Sequence, residues 1–222
     1  DDNPILSPLL ISRRNVFVKR FVDELREAGI VVEATLGEAR KPDDAYCIAS
    51  RFHSIDQILM RMLKESDNLY AESMFYQLAA STGNRRSTAK DAATVIGRLI
   101  SKVGLDPRRY KIADGSGLSL YNYVSAELEV KLLRNNNIYL HLHPALPEAG
   151  VDGTLRRRMR GPFTQSNVFA KTGTVKGISS LAGYCTAANG HHLAFSIINQ
   201  GIMHHSNGRA FQDRVCTILC QP

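Results

Sequence analysis

The chain has 222 residues, 44% of them hydrophobic and 22% charged, with 28 Lys plus Arg against 21 Asp plus Glu for a formal net charge of +7. That balance excludes disordered, collagen-like and low-complexity architectures, and no apolar run reaches the roughly 18 residues that a membrane span needs. The excess of cations favours an anionic partner, whether nucleic acid, anionic lipid or an acidic cell-wall polymer, and does not choose among them. With no aromatic interleaving, zinc-finger spacing or RNA-binding signature, nucleic acid is not the expected partner. The doublets Arg13-Arg14, Lys19-Arg20, Arg85-Arg86 and Arg108-Arg109, and the run Arg156-Arg157-Arg158, read as solvated surface.

In chain order, Val18, Phe21, Val22, Leu25 and Ala28 recur at helical spacing, and Gly29 closes that helix. Ile30-Val31-Val32 reads as a short strand. Ser54 with Gln57 forms a capping box ahead of Ile55, Ile58, Leu59 and Met62. Further helices are predicted over 69–80 and 87–102, the second stopped by Gly104, and another starts at Ser125 and ends near Arg134-Asn135-Asn136-Asn137. From Val168 the pattern turns strand-like: Val168 to Thr174, Ser180 to Tyr184, then Asn189-Gly190 as a hairpin signal before His191 to Ile198. A closing helix over about 206–219 would cover one sheet face with Ala210, Val215, Ile218 and Leu219 turned inward. Helices first and an antiparallel meander last predict an α/β (α+β) architecture with a mostly antiparallel sheet flanked by helices. There is no internal repeat and no linker-like stretch.

The four cysteines, Cys47, Cys185, Cys216 and Cys220, form no CxxC and no zinc-finger spacing. A disulfide, free thiols or a mixture all fit, and the default is a small buried hydrophobe. The histidines, including His191-His192, His204-His205, His141 and His143, read as surface or capping residues, so no metal site is expected. Asp1-Asp2-Asn3-Pro4 has neither the basic nor the apolar region of a signal peptide, which fits either a cytosolic protein or a processed or partial chain.

Three short segments carry possible chemistry: Ser66-Asp67-Asn68 at a helix start, Asp114-Gly115-Ser116-Gly117-Leu118-Ser119 in a turn, and Lys171-Thr172-Gly173-Thr174 on a strand. Each alone has a plain explanation as an N-cap, a turn and an exposed strand edge. Taken in order, the first and third match two of the three motifs of serine acyl-transferases that recognise penicillin. Such chemistry needs a serine with a nearby base, a proton for the leaving amine, and a cation with hydroxyl donors for a substrate carboxylate. A glycine on the strand would let a substrate backbone lie close.

With the flanking text Lys64 to Glu72, Ala113 to Ser119, Gly150 to Leu155 and Ala170 to Tyr184, the chain from Phe17 onward resembles the D-alanyl-D-alanine carboxypeptidase/endopeptidase family. These are the class C low-molecular-mass penicillin-binding proteins, peptidase family S13. The resemblance implies a serine β-lactamase/transpeptidase-like fold and a serine peptidase acting on peptidoglycan stem peptides through an acyl-enzyme. It implies no cofactor, inhibition by β-lactams, and a periplasmic or extracellular location reached with a signal peptide. By the same resemblance Ser66 relays a proton to the leaving D-alanine. Asn68 hydrogen-bonds the lysine of the nucleophile motif and the substrate amide, while Asp67 points away and caps the helix. Lys171 supplies the cation, Thr172 a hydroxyl to the terminal carboxylate, and Thr174 an oxyanion-hole amide beside Gly173; Asp114 and Ser116 belong to a loop near the cleft.

One departure is large. The serines before Ser66 are Ser7, Ser12, Ser50 and Ser54, and none has Lys three residues on; the only Ser-x-x-Lys is Ser87-Thr88-Ala89-Lys90, where a helix cap suits better. Residues 1–222 are therefore expected to be the C-terminal part of a transpeptidase-like domain, whose missing N-terminal half would carry the nucleophile and the signal peptide. A related serine β-lactamase or esterase, and a catalytically inactive cell-wall-binding domain drawn to anionic polymer by the net charge, are the alternatives.

Overall fold

The computed structural model describes residues 13–33, 40, 42–84 and 86–221. The chain divides into two units, Asp1–Arg51 and Phe52–Pro222, although no linker composition marks the boundary. In the first unit the predicted helix is α1 (Arg13–Glu27). Ile30-Val31-Val32 is not a strand: no described residue pairs with it, and Ile30 and Val31 are exposed. β-branched composition supplies propensity, but a strand also needs a neighbour to take its backbone hydrogen bonds.

The second unit opens with α2 (Ile55–Lys64), started by the predicted Ser54/Gln57 capping box. α3 (Asn68–Ala80) follows, then α4 (Ala89–Lys102), whose cap is Thr88 paired reciprocally with Asp91 rather than Ser87. Phe75 and Ala79 of α3 and Ala92 of α4 bury one another in a small core of their own. α5 (Ala126–Leu133) is capped by Ser125 as expected. Where the sequence suggested a loop, α6 (Asn136–Ala145) begins, with the Asn135 side chain accepting from the amides of Asn137 and Ile138.

β1 (Phe169–Val175), β2 (Ile178–Thr186) and β3 (His192–Gln200) form one antiparallel sheet in the order β1-β2-β3. The Asn189-Gly190 hairpin lies in the connection between β2 and β3. Alternation gives the sheet two buried faces. Ala170, Leu181, Cys185 and Phe195 pack under α7 (His205–Cys220), while Phe169, Ala182, Tyr184 and Ala194 pack under α2 and α6. The result is a helix–sheet–helix sandwich, as the α+β reading expected.

Several local readings need correction. Of the residues expected to face inward on α7, Leu219 packs against the core and Val215 is half-buried, but Ala210 and Ile218 are exposed. The buried face is Gly208, Gln212, Cys216 and Cys220. Gln212 is fully buried and donates to Ser179 Oγ at 3.1 Å and Asn199 Oδ1 at 3.0 Å, so a polar side chain satisfies the sheet where an apolar one was anticipated. Cys185, Cys216 and Cys220 are buried free thiols in this core, whereas Cys47 is free and exposed. Arg158 is not solvated surface: its guanidinium meets Asp213 at 2.6 Å and Gln212 at 3.1 Å, bracing the 155–158 turn against α7.

Candidate active site

Ser66 sits at the joint between α2 and α3. Glu65 is the C-cap of α2, and the amide of Asp67 reaches back to the carbonyl of Met62 at 3.0 Å. That closure leaves Ser66 at the position where helices usually place glycine, with φ +55. A side chain there costs about 1–2 kcal/mol relative to the right-handed conformation. Asp67 is the N-cap of α3, accepting from the amides of Leu69 at 3.1 Å and Tyr70 at 3.2 Å, which turns its carboxylate away from the cleft as expected. The Tyr70 amide leads the contacts that hold its carboxyl below the ordinary range. Asn68 opens α3 one residue on.

Strand β1 brings the second group. Lys171 Nζ donates to Ser66 Oγ at 2.8 Å, joining residues 105 apart in sequence, and to the carbonyl of Thr172 at 2.6 Å. Burial lowers the pKa of this ammonium, because desolvation penalises the charged form. Thr172 Oγ1 donates to Thr154 Oγ1 at 3.0 Å at the sheet edge. A Cβ on Gly173 would lie 2.3 Å from Ser180 Oγ, so glycine here makes room for the cross-strand serine as well as for anything approaching the strand.

The third group is the loop after Ile112. The carboxylate of Asp114 accepts from the amides of Gly117 and Ser119, both at 2.7 Å, and from Asn122 Nδ2 at 2.9 Å. Burial works against its ionisation, yet the Asn122 and amide hydrogen bonds win and hold its pKa down. Asp114 therefore shapes the loop. Glu72 of α3 anchors the same loop, accepting from the amides of Gly115 at 2.8 Å and Ser116 at 3.2 Å.

These groups line one cleft of about 710 Å³. Ser66, Asn68, Asp114, Ser116, Lys171, Thr172, Gly173 and Thr174, all singled out from sequence, are among its walls. Ser87 is not: its hydroxyl donates to the carbonyl of Asn84 at the α4 start. Sequence reasoning missed Glu72, Thr154 and Glu129. Glu129 of α5 faces the cleft, accepts from Ser196 Oγ at 2.6 Å and has its pKa raised by burial. Glu72 falls on the same helix as Asn68 and one turn on, a usable signal; Glu129 looks like any first-turn carboxylate until the sheet is placed against it.

Residues 12–221 match the D-Ala-D-Ala carboxypeptidase 3 (S13) family. The D-alanyl-D-alanine carboxypeptidase DacB of Haemophilus influenzae is 33% identical over 178 residues, which is 78% of this chain and 37% of that protein. A D-alanyl-D-alanine carboxypeptidase of Actinomadura sp. is 33% identical over 216 residues, 90% of this chain and 39% of that protein. Among solved structures, Haemophilus influenzae penicillin binding protein 4 complexed with a β-lactam superposes with TM-score 0.78 at 27% identity, covering 96% of this chain and 52% of that one. The chain thus spans well under half the length of these curated relatives.

Proposed function

The chain belongs to the D-Ala-D-Ala carboxypeptidase 3 (S13) family, and from that premise we propose that it supplies the proton-relay and carboxylate-binding half of a serine acyl-transfer site. The substrate is the D-Ala-D-Ala end of a peptidoglycan stem peptide, and the compartment is outside the cytoplasmic membrane. The Ser-x-x-Lys element comes from a segment outside these 222 residues. The observation that carries this reading is the Lys171–Ser66 hydrogen bond of 2.8 Å, which ties the two motifs together across the fold.

In this mechanism the serine oxygen of the Ser-x-x-Lys element attacks the carbonyl carbon of the penultimate D-alanine, and its proton leaves toward the lysine of that element. The peptide bond then breaks as Ser66 hands a proton to the departing D-alanine nitrogen, drawing a replacement from the lysine network. Lys171 keeps the Ser66 oxygen oriented by donating to it, so the Ser66 proton is free to point at the leaving nitrogen. Thr172 and Thr174 hold the terminal carboxylate, and the amide of Thr174 serves the oxyanion. Water attacks the acyl-enzyme in a second step and frees the shortened peptide. A β-lactam follows the first step and resists the second; that the Haemophilus penicillin binding protein 4 is complexed with a β-lactam supports carrying β-lactam binding over.

Fluorescent penicillin added to the protein made from its complete coding sequence tests the reading. Covalent labelling is expected, and Ser66→Ala should slow it by roughly 10²–10³-fold, the scale of losing one transition-state donor. A well-folded complete protein that does not label contradicts the proposal.

A further inference from the structure

The segment from Gly150 to Leu155 touches both halves of the site, and its role is open. On one side the carboxylate of Asp152 takes the ammonium of Lys64, the last residue of α2 and two residues before Ser66. Lys64 is largely shielded at 18% exposure, while Asp152 is half-open at 37%, so the lysine end of the pair is the one withdrawn from solvent. The other oxygen of Asp152 accepts from the amide of Glu148 at 2.9 Å, so the carboxylate is held at both ends. Gly153, with φ +52, seats the segment directly on the end of α2: a Cβ there would come within 2.7 Å of the Lys64 carbonyl. On the other side Thr154 Oγ1 accepts from Thr172, the residue after Lys171.

We propose that Asp152 is a positioning residue. Its pairing with Lys64, on a segment also bonded to Thr172 through Thr154, forms a bracket that holds the Ser66 turn at hydrogen-bonding distance from Lys171. The need for a bracket follows from the local chemistry. Ser66 occupies a left-handed position that a serine relaxes out of unless its surroundings over-determine it. The only side-chain bond to its hydroxyl among the described residues comes from Lys171, on β1, whose first residue Phe169 shares an apolar cluster with α2 but lies two positions away from Lys171. The 150–155 segment adds polar ties to that apolar contact, one beside Ser66 at Lys64 and one beside Lys171 at Thr172. This inference rests on the reading of Ser66 and Lys171 as parts of the acyl-transfer site.

The test uses the complete protein and fluorescent penicillin, with the rate of acylation followed across pH and the folded fraction followed by thermal unfolding. Asp152→Asn is expected to acylate roughly ten- to a hundredfold more slowly at unchanged folded fraction, with Asp152→Glu recovering part of the loss. Lys64→Met provides the same reading should Asp152→Asn fold poorly. The exchanged pair Lys64→Asp with Asp152→Lys should acylate faster than either single change. Acylation at the unaltered rate, a loss no larger than the loss of folded protein, or an exchange no better than the singles would each overturn the bracket. Should the unaltered protein not acylate at all, the functional reading falls, and the bracket is judged by the Lys171 ammonium titration in nuclear magnetic resonance. Asp152→Asn should lower that titration further by withdrawing the Ser66 acceptor, and coincident curves would refute the proposal.

Discussion

At the scale of single residues, Ser66 shows a backbone position and a side chain pulling in opposite directions. The α2–α3 joint wants glycine, and the chain has serine at φ +55. Ser66→Gly should therefore raise stability by about 1 kcal/mol, read from urea unfolding, because it removes the left-handed penalty. The same change deletes the acceptor for Lys171 and, like Ser66→Ala, should slow penicillin acylation by the complete protein roughly 10²–10³-fold; a loss of stability would show that the joint is not strained. His143 is the second case. It stacks on Phe169 with ring centroids 4.3 Å apart and on Tyr139 at 4.9 Å, which places it between α6 and the sheet rather than at the surface where histidines were expected. Burial lowers its pKa, the charge of His192 adds to this, and Glu148 opposes it. The folded state then binds fewer protons than the unfolded chain below the ordinary value of 6.5. The contribution is thus complete above that pH and is lost as pH falls through the folded value. His143→Phe should flatten this acid-side loss in urea midpoints measured from pH 7.5 down to 5; an unchanged slope would remove His143 as its source.

At the scale of elements, legibility in the sequence followed how local the forces were. The starts of α2 and α5 were readable because a cap is a matter of three or four adjacent residues, as Ser54/Gln57 and Ser125 illustrate. The three strands were readable from β-branched composition punctuated by Asn189-Gly190. α6 was not, because Ile138-Tyr139-Leu140-His141-Leu142-His143 alternates apolar and other residues like a strand. Its helix is chosen by the Asn135 cap and by the contacts of Tyr139 and His143 with Tyr184. Nor was the face of α7 readable, since Gln212 enters the core only once Ser179 and Asn199 are in place to receive it. The sheet carries its own test. A Cβ on Gly183 would lie 2.0 Å from the Phe169 carbonyl and 2.6 Å from the Ala170 Cα, both backbone atoms of β1. Gly183→Ala should push β1 from β2 and cost about 3 kcal/mol or more in chemical unfolding, taking the Lys171–Ser66 bond with it; a cost under about 1 kcal/mol would mean the strands have slack.

At the scale of the molecule, residues of all three segments singled out from sequence meet in one cleft, although they come from a helix joint, a loop and a strand spread over more than 100 positions. Their order along the chain was enough to suggest one site; Glu72, Asp152 and Thr154 lie in the flanking segments Lys64 to Glu72 and Gly150 to Leu155, but their hydrogen bonds to the site's loop, to Lys64 and to Thr172 needed the fold. Among the described residues, no serine lining the cleft has a lysine three residues on, and Ser87, which does, is engaged with Asn84 at another helix start. The central claim is that this chain is the relay and binding half of an acyl-transfer site whose nucleophile lies elsewhere. Peptide mapping by mass spectrometry of the complete protein after reaction with penicillin tests it most directly. The expected penicilloyl adduct lies on a serine outside these 222 residues, with lysine three positions further on. An adduct on Ser66, Ser87 or any other serine of this chain, or no adduct on a folded protein, would contradict it.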